Sequence, residues 1–451
     1  MYPIAFVRDN AAALRDGLRR RHRDSAEVDG ILELDGRRRE LTEEINRLRA
    51  RRNVAAHGGK GGAREAPDPA RQAELASLRD RIRELEVGEA QLGGTLEERL
   101  LGLPQIPHST VPDGRTGADA VELSRFTPHR APPKDPKPHF EIGHELNLLD
   151  EARGVKVAGE GFYVLWGDLA RLEQALIRYM RRLHLKRGYT EVAPPILINS
   201  ASMRGTGQLP KFAEDSYQVK LDDLWLAPTA EVPVTNLFRD EVFLPEDLPY
   251  KLMAYTPCFR REAGGHGVET RGIARVHQFD KVELVNFTLP EESYAQLEVL
   301  RDEAEAVLKG LDLPYRVVSL AAGDLPDKAA KCYDLELWAP GSERWLEISS
   351  VSNFEAYQAQ RASIRVRRRQ SDKPELVHTL NGSGTALARL QVALLENYQD
   401  SEGRIEIPEV LREEMGGARY LEPTPRVGES ELARGRHPKR GRATGAPPSA
   451  S

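Results

Sequence analysis

Apolar positions in the first hundred residues recur with the spacing of two long helices packed along a seam. Leu34, Leu41 and Leu48 follow one another at intervals of seven residues, with Ile45 beside them. A second apolar stripe comprises Leu75, Leu78, Ile82, Leu85, Leu92 and Leu96. Such stripes are typical of a coiled coil. The breaker HGGKGGAREAPDP (57–69) separates them, so we predict an antiparallel helical hairpin that forms an arm over residues 1–110.

Basic runs punctuate this arm at RRRHR (19–23), RRR (37–39) and RLRARR (47–52). We place them on the outer faces of the helices, away from the apolar seam. Two interpretations stay open at this point: a solvated coiled coil used for dimerisation, and an arm that grips nucleic-acid phosphates. Because charge runs on helices are usually solvated faces, the arm's residues alone favour the first.

After the arm, the amino-acid composition and the predicted secondary structure change several times along the chain. A proline-rich segment over 104–140 predicts a linker or an irregular wrap around the next domain. The stretch 168–187 predicts a helix that ends at Gly188, and YTEVAPPILI (189–198) predicts a strand near an edge or interface. Short strands and helices then alternate to about residue 412. This pattern indicates an α+β domain over 111–420 with a mainly antiparallel sheet. The polar tail 421–451 is predicted to be disordered.

Arginines flank a glycine-rich loop in TPCFRREAGGHGVETRGIARVHQFDKVELV (256–285). The segments on either side of GGHG read as strands, because their residues are apolar and β-favouring. Arg260, Arg261, Arg271 and Arg275 then lie near the mouth of the loop. An anion site and a salt-bridged hairpin explain this stretch equally well when it is taken alone.

Bulk composition narrows the class of protein. The 451 residues carry a formal net charge of −5, which argues against a histone-like protein but leaves room for a local basic face. Cys258 and Cys332 are too few and too far apart for a disulfide framework or a metal cluster, so we expect ordinary buried thiols. The N-terminus lacks a secretory signal, and no run of about 18 apolar residues occurs. We therefore expect a cytoplasmic protein without a membrane span.

Five segments, in order, resemble the motifs of a bacterial-type seryl-tRNA synthetase, a class II aminoacyl-tRNA synthetase. They are GYTEVAPPILINSASMRGTGQLPKF (188–212, motif 1), APTAEVPVTN (227–236, the serine-binding loop), the arginine-rich stretch above (motif 2), LEISSVSNFEAYQAQR (346–361, the ATP and metal segment) and HTLNGSGTALARLQVALLENYQ (378–399, motif 3). The resemblance covers nearly the whole chain, to about residue 417. It implies a class II catalytic domain over 111–420 with helices flanking the sheet. It also implies a homodimer formed through motif 1 and an arm that grips the long variable arm of tRNA-Ser.

The resemblance also implies an activity and the residues that perform it. The reaction is ATP-dependent ligation of L-serine to tRNA-Ser through seryl-adenylate, and the family generally charges selenocysteine tRNA as well. Arg260 and Arg389 are the catalytic residues, on the α- and γ-phosphates respectively, and Arg260 also meets the serine carboxylate. Glu262 approaches the adenine amino group and Phe279 stacks on the ring. The full ATP-binding set is Arg260, Arg261, Glu262, Val276, Phe279, Glu347, Ile348, Ser349, Ser350 and Arg389.

Serine and metal ligands follow from the same matches. Glu347 and Ser350 match the pair that contacts Mg²⁺, a cation that prefers oxygen ligands. No zinc site is expected. The serine-binding set is Thr229, Ala230, Glu231, Arg260, Glu283, Asn381 and Ser383. A site that hydrogen-bonds the substrate hydroxyl rejects alanine strongly, whereas threonine has to be rejected by shape.

Three departures from the family pattern are Gly265 and Val268 in the motif 2 loop and Ala388 before the motif 3 arginine. They motivate the hypothesis of a divergent second copy that serves antibiotic resistance or biosynthesis, which we rank below a housekeeping role. Two other classes compete. A ligase that charges a carrier protein instead of tRNA would lack the long arm. An inactive regulatory paralogue would not need the full set of ATP-binding residues.

Overall fold

A helical hairpin followed by a large antiparallel sheet forms the computed structural model, which describes residues 2–57, 69–262 and 272–425. The α-helices are α1 Ile4–Asp9, α2 Ala11–Arg20, α3 Ala26–His57, α4 Pro69–Gly102, α5 His139–Glu145, α6 Glu151–Ala158, α7 Gly167–Lys186, α8 Ser200–Gly205, α9 Glu231–Asn236, α10 Ser293–Gly310, α11 Tyr357–Ala362, α12 Leu387–Asn397 and α13 Glu409–Arg412.

The strands are β1 Val121–Phe126, β2 Leu149–Asp150, β3 Val164–Leu165, β4 Thr190–Glu191, β5 Leu197–Asn199, β6 Leu224–Leu226, β7 Val242–Phe243, β8 Tyr250–Phe259, β9 Gln278–Thr288, β10 Tyr315–Ser319, β11 Lys331–Ala339, β12 Arg344–Asn353, β13 Arg365–Val366, β14 Glu375–Leu376 and β15 His378–Ala386.

The arm is the hairpin of α3 and α4, as the apolar stripes predicted. Ile45, Ile82 and Leu85 are buried in its seam, with Leu41 and Leu48 packed against them. At the root of the hairpin, α1 and α2 close a second small core of Val7, Leu14, Leu18, Val28, Ile31, Leu96, Leu100 and Leu103. The seam is continuous because residues seven apart in a supercoiled helix lie on the same side of that helix.

The predicted outward placement of the first basic run is wrong for Arg20 and Arg21, although Arg19 and His22 are exposed. Arg21 is only 4% exposed, and its guanidinium donates to the carbonyl oxygens of Gln105, Leu325 and Ala329. Arg20 likewise donates to the carbonyl oxygen of Val111 (2.6 Å). These contacts bind the root of the arm to the catalytic domain. A guanidinium carries five donors, so it can satisfy several loop carbonyls that a sequence pattern does not reveal.

Eight strands form the main sheet in the order β1-β10-β11-β12-β15-β9-β8-β4. All neighbours are antiparallel except the edge pair β4 and β8, which confirms the predicted fold class. Helices α7, α10 and α12 pack on the sheet in one large core. Helix α7 runs over 167–186, one residue from its predicted start, and ends before Gly188.

Two strand predictions need correction. YTEVAPPILI forms two short strands, β4 and β5, because the prolines between them have no N–H to give to a ladder. The predicted motif 2 strand ends at Phe259, so Arg260 and Glu262 lie beyond it. The proline-rich segment also holds strand β1 at one edge of the main sheet. Of the polar tail, only residues 421–425 are described, and Leu421 there is buried.

Candidate active site

A cleft of about 930 Å³ opens over the central strands of the sheet. The predicted site residues that line it are Thr229, Glu231, Arg260, Glu262, Val276, Phe279, Glu347, Ile348, Ser349, Ser350, Asn381, Ser383 and Arg389. Three others lie off its described wall. Glu283 is buried beneath it, Ala230 is buried at the start of α9, and the Arg261 side chain is exposed. The fold thus gathers residues from five separate segments of the chain.

Successive side chains of β9 point alternately to the main core and to the cleft. Val282 and Leu284 turn into the main core, so the residues between and before them turn to the cleft side. Phe279 and Lys281 therefore line the cleft, and Glu283 follows on the same face. Glu283 is the direct partner of Ser383 across the β9–β15 pair. That register brings motif 2 and motif 3 together.

A β-bulge at Ile348 positions the predicted metal pair. In the β11–β12 register, Leu335 pairs with Ser349 and Glu336 with Glu347, which leaves Ile348 without a partner. Residues three apart in a regular strand point to opposite faces. The extra residue cancels this, and the Ser350 hydroxyl donates to Glu347 Oε1 at 3.0 Å.

The hydroxyl oxygen of Ser350 also lies within hydrogen-bond distance of Asp334 Oδ1, at 2.7 Å. Burial, together with the charge of Glu347, raises the pKa of Asp334 well above its ordinary value. Asp334 was not predicted from the sequence. It faces Ser350 directly across the β11–β12 pair, and this register was not evident from the chain alone. Two carboxylates and one hydroxyl thus form an oxygen-only cluster at the edge of the cleft.

The residues assigned to serine form one buried network. Asn381 Nδ2 donates to Glu231 Oε2 (3.1 Å) and to Glu283 Oε1 (2.8 Å), so it bridges the two carboxylates. The Thr229 hydroxyl donates to Glu283 Oε2 (3.0 Å). Gln358 Nε2 adds a bond to Glu231 Oε1 (2.6 Å). Glu231 and Glu283 are 2% and 0% exposed, so their charges need such partners.

Two lysines that the sequence reasoning missed neutralise these glutamates. Lys281 forms an ion pair with Glu283 and donates to the Thr229 hydroxyl at 2.8 Å. Lys328 contacts both carboxylate oxygens of Glu231, at 2.5 and 2.7 Å. Lys281 lies two residues from both Phe279 and Glu283, so the alternation of β9 already places it on their face. No comparable pattern points to Lys328, which sits in the loop between β10 and β11.

The arginine assigned to the α-phosphate sits beside the serine-binding segment. Arg260 Nε donates to the carbonyl oxygen of Pro228 (3.2 Å), the residue before Thr229. Its guanidinium lies 5.2 Å from the centre of the Phe279 ring. Glu262 accepts a bond from Arg275 Nε at 2.7 Å, so part of the stretch forms the salt-bridged hairpin considered above.

Arg389 lies next to the predicted metal pair. Its Nη1 donates to the carbonyl oxygen of Glu347 (2.6 Å) and lies 3.7 Å from that residue's carboxylate. Its Nε donates to the carbonyl oxygen of Ala274 (3.0 Å). Ala388 is buried and lines the cleft without displacing Arg389 from these bonds. The other two departures, Gly265 and Val268, lie with Arg271 outside the described residues.

The described residues also bear on the expectations for the two cysteines, for metal clusters and for membrane spans. Cys258 and Cys332 are both buried, as predicted, and burial raises the pKa of each thiol. No group of three or more His, Cys, Asp or Glu side chains among residues 2–57, 69–262 and 272–425 could hold a metal ion. Within the same ranges, every helix is too short or too polar to cross a membrane.

Comparison with known proteins bears directly on this site. Two family profiles match, the seryl-tRNA synthetase N-terminal domain over residues 1–107 and the tRNA synthetase class II core domain (G, H, P, S and T) over residues 216–398. The serine–tRNA ligase of Halorubrum lacusprofundi is 50% identical over 450 residues, which cover 95% of this chain and 98% of the relative. That of Thermomicrobium roseum is 48% identical, with 96% and 98% covered.

A solved structure is also similar over nearly the whole chain. It is the seryl-tRNA synthetase from Pyrococcus horikoshii complexed with ATP, with a TM-score of 0.86 at 36% identity. The match covers 94% of this chain and 100% of that one. The arm and the catalytic domain therefore both have counterparts in one known enzyme. The chain belongs to the seryl-tRNA synthetase family of class II aminoacyl-tRNA synthetases.

Proposed function

We propose that the protein joins L-serine to tRNA-Ser in two steps, with seryl-adenylate as the intermediate. In the first, the serine carboxylate attacks the α-phosphate of ATP and pyrophosphate leaves. In the second, a ribose hydroxyl at the tRNA terminus attacks the acyl carbon of seryl-adenylate, an ester bond forms and AMP leaves. The observation that carries the proposal is the shared cleft, in which the buried Glu231–Asn381–Glu283 network lies beside Arg260, with Arg389 also lining the wall.

Arg260 is the residue that links the two substrates. Its bond to Pro228 sets the guanidinium at the edge of the serine pocket, and its position over Phe279 sets it at the adenine side. A planar cation there can bind the serine carboxylate and the α-phosphate together, which reduces their mutual repulsion and aligns them for attack. Phe279 then stacks on adenine and Glu262 accepts a hydrogen bond from its amino group.

The γ-phosphate and a divalent cation fit the other side of the cleft. Glu347, Ser350 and Asp334 offer only oxygen ligands, which suits Mg²⁺. These residues would hold the cation, which would supply positive charge near the phosphates of ATP. Arg389 is held against Glu347 by its own bonds, so it is positioned to bind the γ-phosphate beside that cation. The solved Pyrococcus relative is described as complexed with ATP, which supports ATP as a ligand.

Serine selection rests on the buried network. Asn381 and Thr229 hold the two carboxylates, which can accept bonds from the serine ammonium and hydroxyl. A site built to hydrogen-bond the substrate hydroxyl should reject alanine, which lacks it, by roughly 10⁴–10⁵. Threonine keeps the hydroxyl, so it has to be rejected by the shape of the cleft, where Ser383 is one of the lining residues.

The arm is assigned to tRNA, and selenocysteine tRNA is included as a further acceptor. Arg38, Arg49 and Arg51 form ion pairs with glutamates across the hairpin, so part of the basic surface stabilises the arm itself. Arg39 and Arg47 are exposed and form no ion pair with another described residue. We assign these two to phosphate contacts. A homodimer built on motif 1, in the cytoplasm, completes the proposal.

Serine-dependent exchange of labelled pyrophosphate into ATP, followed by transfer of serine to tRNA-Ser, tests this function. We expect both reactions. Exchange without transfer would indicate a different acceptor, such as a carrier protein. The absence of exchange would indicate an inactive paralogue. Alanine in place of serine is the matched control, because it differs only by the hydroxyl.

The status of a divergent second copy is a separate question. Inhibition by a non-hydrolysable seryl-adenylate analogue addresses it, because a resistance enzyme has to tolerate such a compound. We propose the housekeeping role, since all described residues assigned to ATP except Arg261 line the cleft. Ordinary sensitivity to the analogue agrees with that role, and strong insensitivity would favour the accessory one.

A further inference from the structure

Lys328 occupies the place at Glu231 that a substrate cation would need. Its ammonium contacts both oxygens of a carboxylate that is 2% exposed and that we assign to serine. Gln358 and Asn381 take further acceptor positions on the same carboxylate. In this state Glu231 is neutralised and nearly saturated with donors. Serine cannot bring its ammonium to Glu231 without moving one of these partners.

Lys328 is the partner that can move. Lys281, the other lysine of the network, projects from strand β9 and is 5% exposed. The Lys328 side chain is 18% exposed and projects from a loop. Arg21 holds the backbone of that loop through the carbonyl oxygens of Leu325 and Ala329, so the side chain can swing while the loop stays in place. Gln358 is buried and its own carbonyl is tied to Thr379.

A second contact is ready for the displaced ammonium. Lys328 Nζ already lies 4.8 Å from the centre of the Phe354 ring, within the range of a cation–π interaction. Moving off Glu231 therefore need not strip the ammonium of every favourable contact. The cost of displacement is the loss of a buried ion pair, which the incoming substrate cation restores.

We propose that Lys328 is a specificity-determining residue that serves as a resident cation, displaced from Glu231 by the α-ammonium of serine. The inference rests on the proposed function, because it takes Glu231 as part of the serine site. The lysine keeps a buried carboxylate paired while the site is empty. It also makes every cationic ligand compete with a tethered ammonium. An amino acid offsets the free energy of displacing Lys328, because its carboxylate binds Arg260. A simple amine has no carboxylate, so the site selects the amino acid over the amine.

Two analogues that each lack one charged group of serine distinguish a specificity role of Lys328 from a purely structural one. Ethanolamine keeps the ammonium and hydroxyl but lacks the carboxylate, and 3-hydroxypropionate keeps the carboxylate and hydroxyl but lacks the ammonium. Their inhibition constants against serine-dependent pyrophosphate exchange are measured for the wild type and for Lys328→Met, which keeps the bulk of the side chain without its charge. Direct calorimetric binding of both analogues provides a readout that does not depend on turnover.

In Lys328→Met the inhibition constant of ethanolamine should fall at least about tenfold, because a competing cation is removed from a buried carboxylate. The constant of 3-hydroxypropionate should stay within about twofold of the wild type. The KM for serine should fall and kcat should not rise. Thermal stability without ligand should decrease and should recover when ethanolamine is added, since the ligand supplies the missing charge.

Lys331→Met is the matched control. Lys331 lies three residues further along, and its ammonium donates to the Thr110 hydroxyl (3.0 Å) and does not line the cleft. This variant should leave both inhibition constants unchanged. If Lys328→Met does not fold, Lys328→Gln retains a donor toward Glu231 and carries the same expected direction.

An unchanged or raised ethanolamine constant in the Lys328 variant would overturn the proposal, as would an equal change for both analogues. The wild type is assayed first. If it shows no serine-dependent exchange, the proposed function fails, and the inference fails with it. If exchange is normal and only the ethanolamine prediction fails, the proposed serine site is retained and the proposed role of Lys328 is rejected.

Discussion

Replacing two adjacent serines on β12 by alanine, one at a time, is expected to change different properties: the Mg²⁺ requirement in one variant and the stability in the other. The bulge at Ile348 places Ser350 beside Glu347 and Asp334, where its hydroxyl bonds to both carboxylates. Ser349 is 1% exposed, and its hydroxyl donates to the carbonyl oxygen of Ser383 at 2.6 Å. One hydroxyl therefore serves the predicted metal site, and the other ties β12 to β15.

The expected magnitudes follow from these contacts. In Ser350→Ala the site loses one oxygen ligand and the only described donor between the two carboxylates. The Mg²⁺ concentration for half-maximal exchange should rise by about 10–100-fold. In Ser349→Ala a buried carbonyl loses its partner, at a cost of about 1–3 kcal/mol in the free energy of unfolding. For a chain of 451 residues that corresponds to a Tm lower by about 1–3 °C.

Each variant controls for the other. Pyrophosphate exchange is measured across a Mg²⁺ titration at fixed ATP and serine, and thermal unfolding is recorded on the same preparations. Ser349→Ala should keep the wild-type Mg²⁺ requirement, and Ser350→Ala should keep most of its stability. Equal Mg²⁺ requirements in the two variants would refute the argument that the bulge selects Ser350 for the metal.

Three further predictions concern the α-phosphate, a buried carboxyl group and the arm. Arg260→Ala should abolish serine-dependent pyrophosphate exchange while the proposed dimer stays folded, as judged by sedimentation; retained exchange would remove Arg260 from its assigned role. Burial, reinforced by a neighbouring carboxylate, raises the pKa of Glu173 from 4.5 to about 8. The native state then holds a proton that the unfolded chain releases, so stability falls as pH rises from 4.5 towards 8, and Glu173→Gln should raise Tm more at about pH 9 than at about pH 5. An equal gain at both values would contradict this sign. Arg39→Gln with Arg47→Gln should raise the KM for tRNA and reduce the slope of log affinity against log salt by about 2, with exchange unaffected. The paired Arg49→Gln is the control, and an unaltered slope in the double variant would count against phosphate contacts by those two arginines.

Local patterns in the sequence predict much of this fold. The heptad stripes predict the hairpin of α3 and α4, because a coiled-coil seam depends on spacing within each helix. Helix α7 is found within one residue because its apolar face and the closing Gly188 are both local signals. The alternation of β9 also places Phe279 and Glu283 on one face. Each of these features depends on residues close together in the chain.

Contacts between residues far apart in the chain cannot be predicted from such local patterns. Asp334 reaches the metal pair only because β11 aligns with β12 in a particular register, and the bulge at Ile348 changes which residues share a face. Arg21 looks like part of a solvated basic run, yet it satisfies carbonyl oxygens more than three hundred residues away. Lys328 carries no periodic signal because it lies in a loop. Contacts of this kind are decided by how the elements pack.

The two lysines also change how the serine pocket is understood. Sequence motifs assign Glu231 and Glu283 to serine, which suggests a pair of carboxylates awaiting a cation. The structure pairs each of them with a lysine instead. A pocket that is already neutral favours a zwitterion over a bare amine. In the proposed function, Arg260 would then bind the carboxylate of serine, which a bare amine lacks.

Charging of tRNA-Ser tests the account most directly, because it needs the cleft and the arm together. Labelled serine is supplied with ATP and either full-length tRNA-Ser or the same tRNA without its long variable arm. The account predicts serine attached to the full-length tRNA and a large loss of kcat/KM for the shortened one, with pyrophosphate exchange the same in both. No attachment to full-length tRNA-Ser, or equal charging of the two tRNAs, would contradict it.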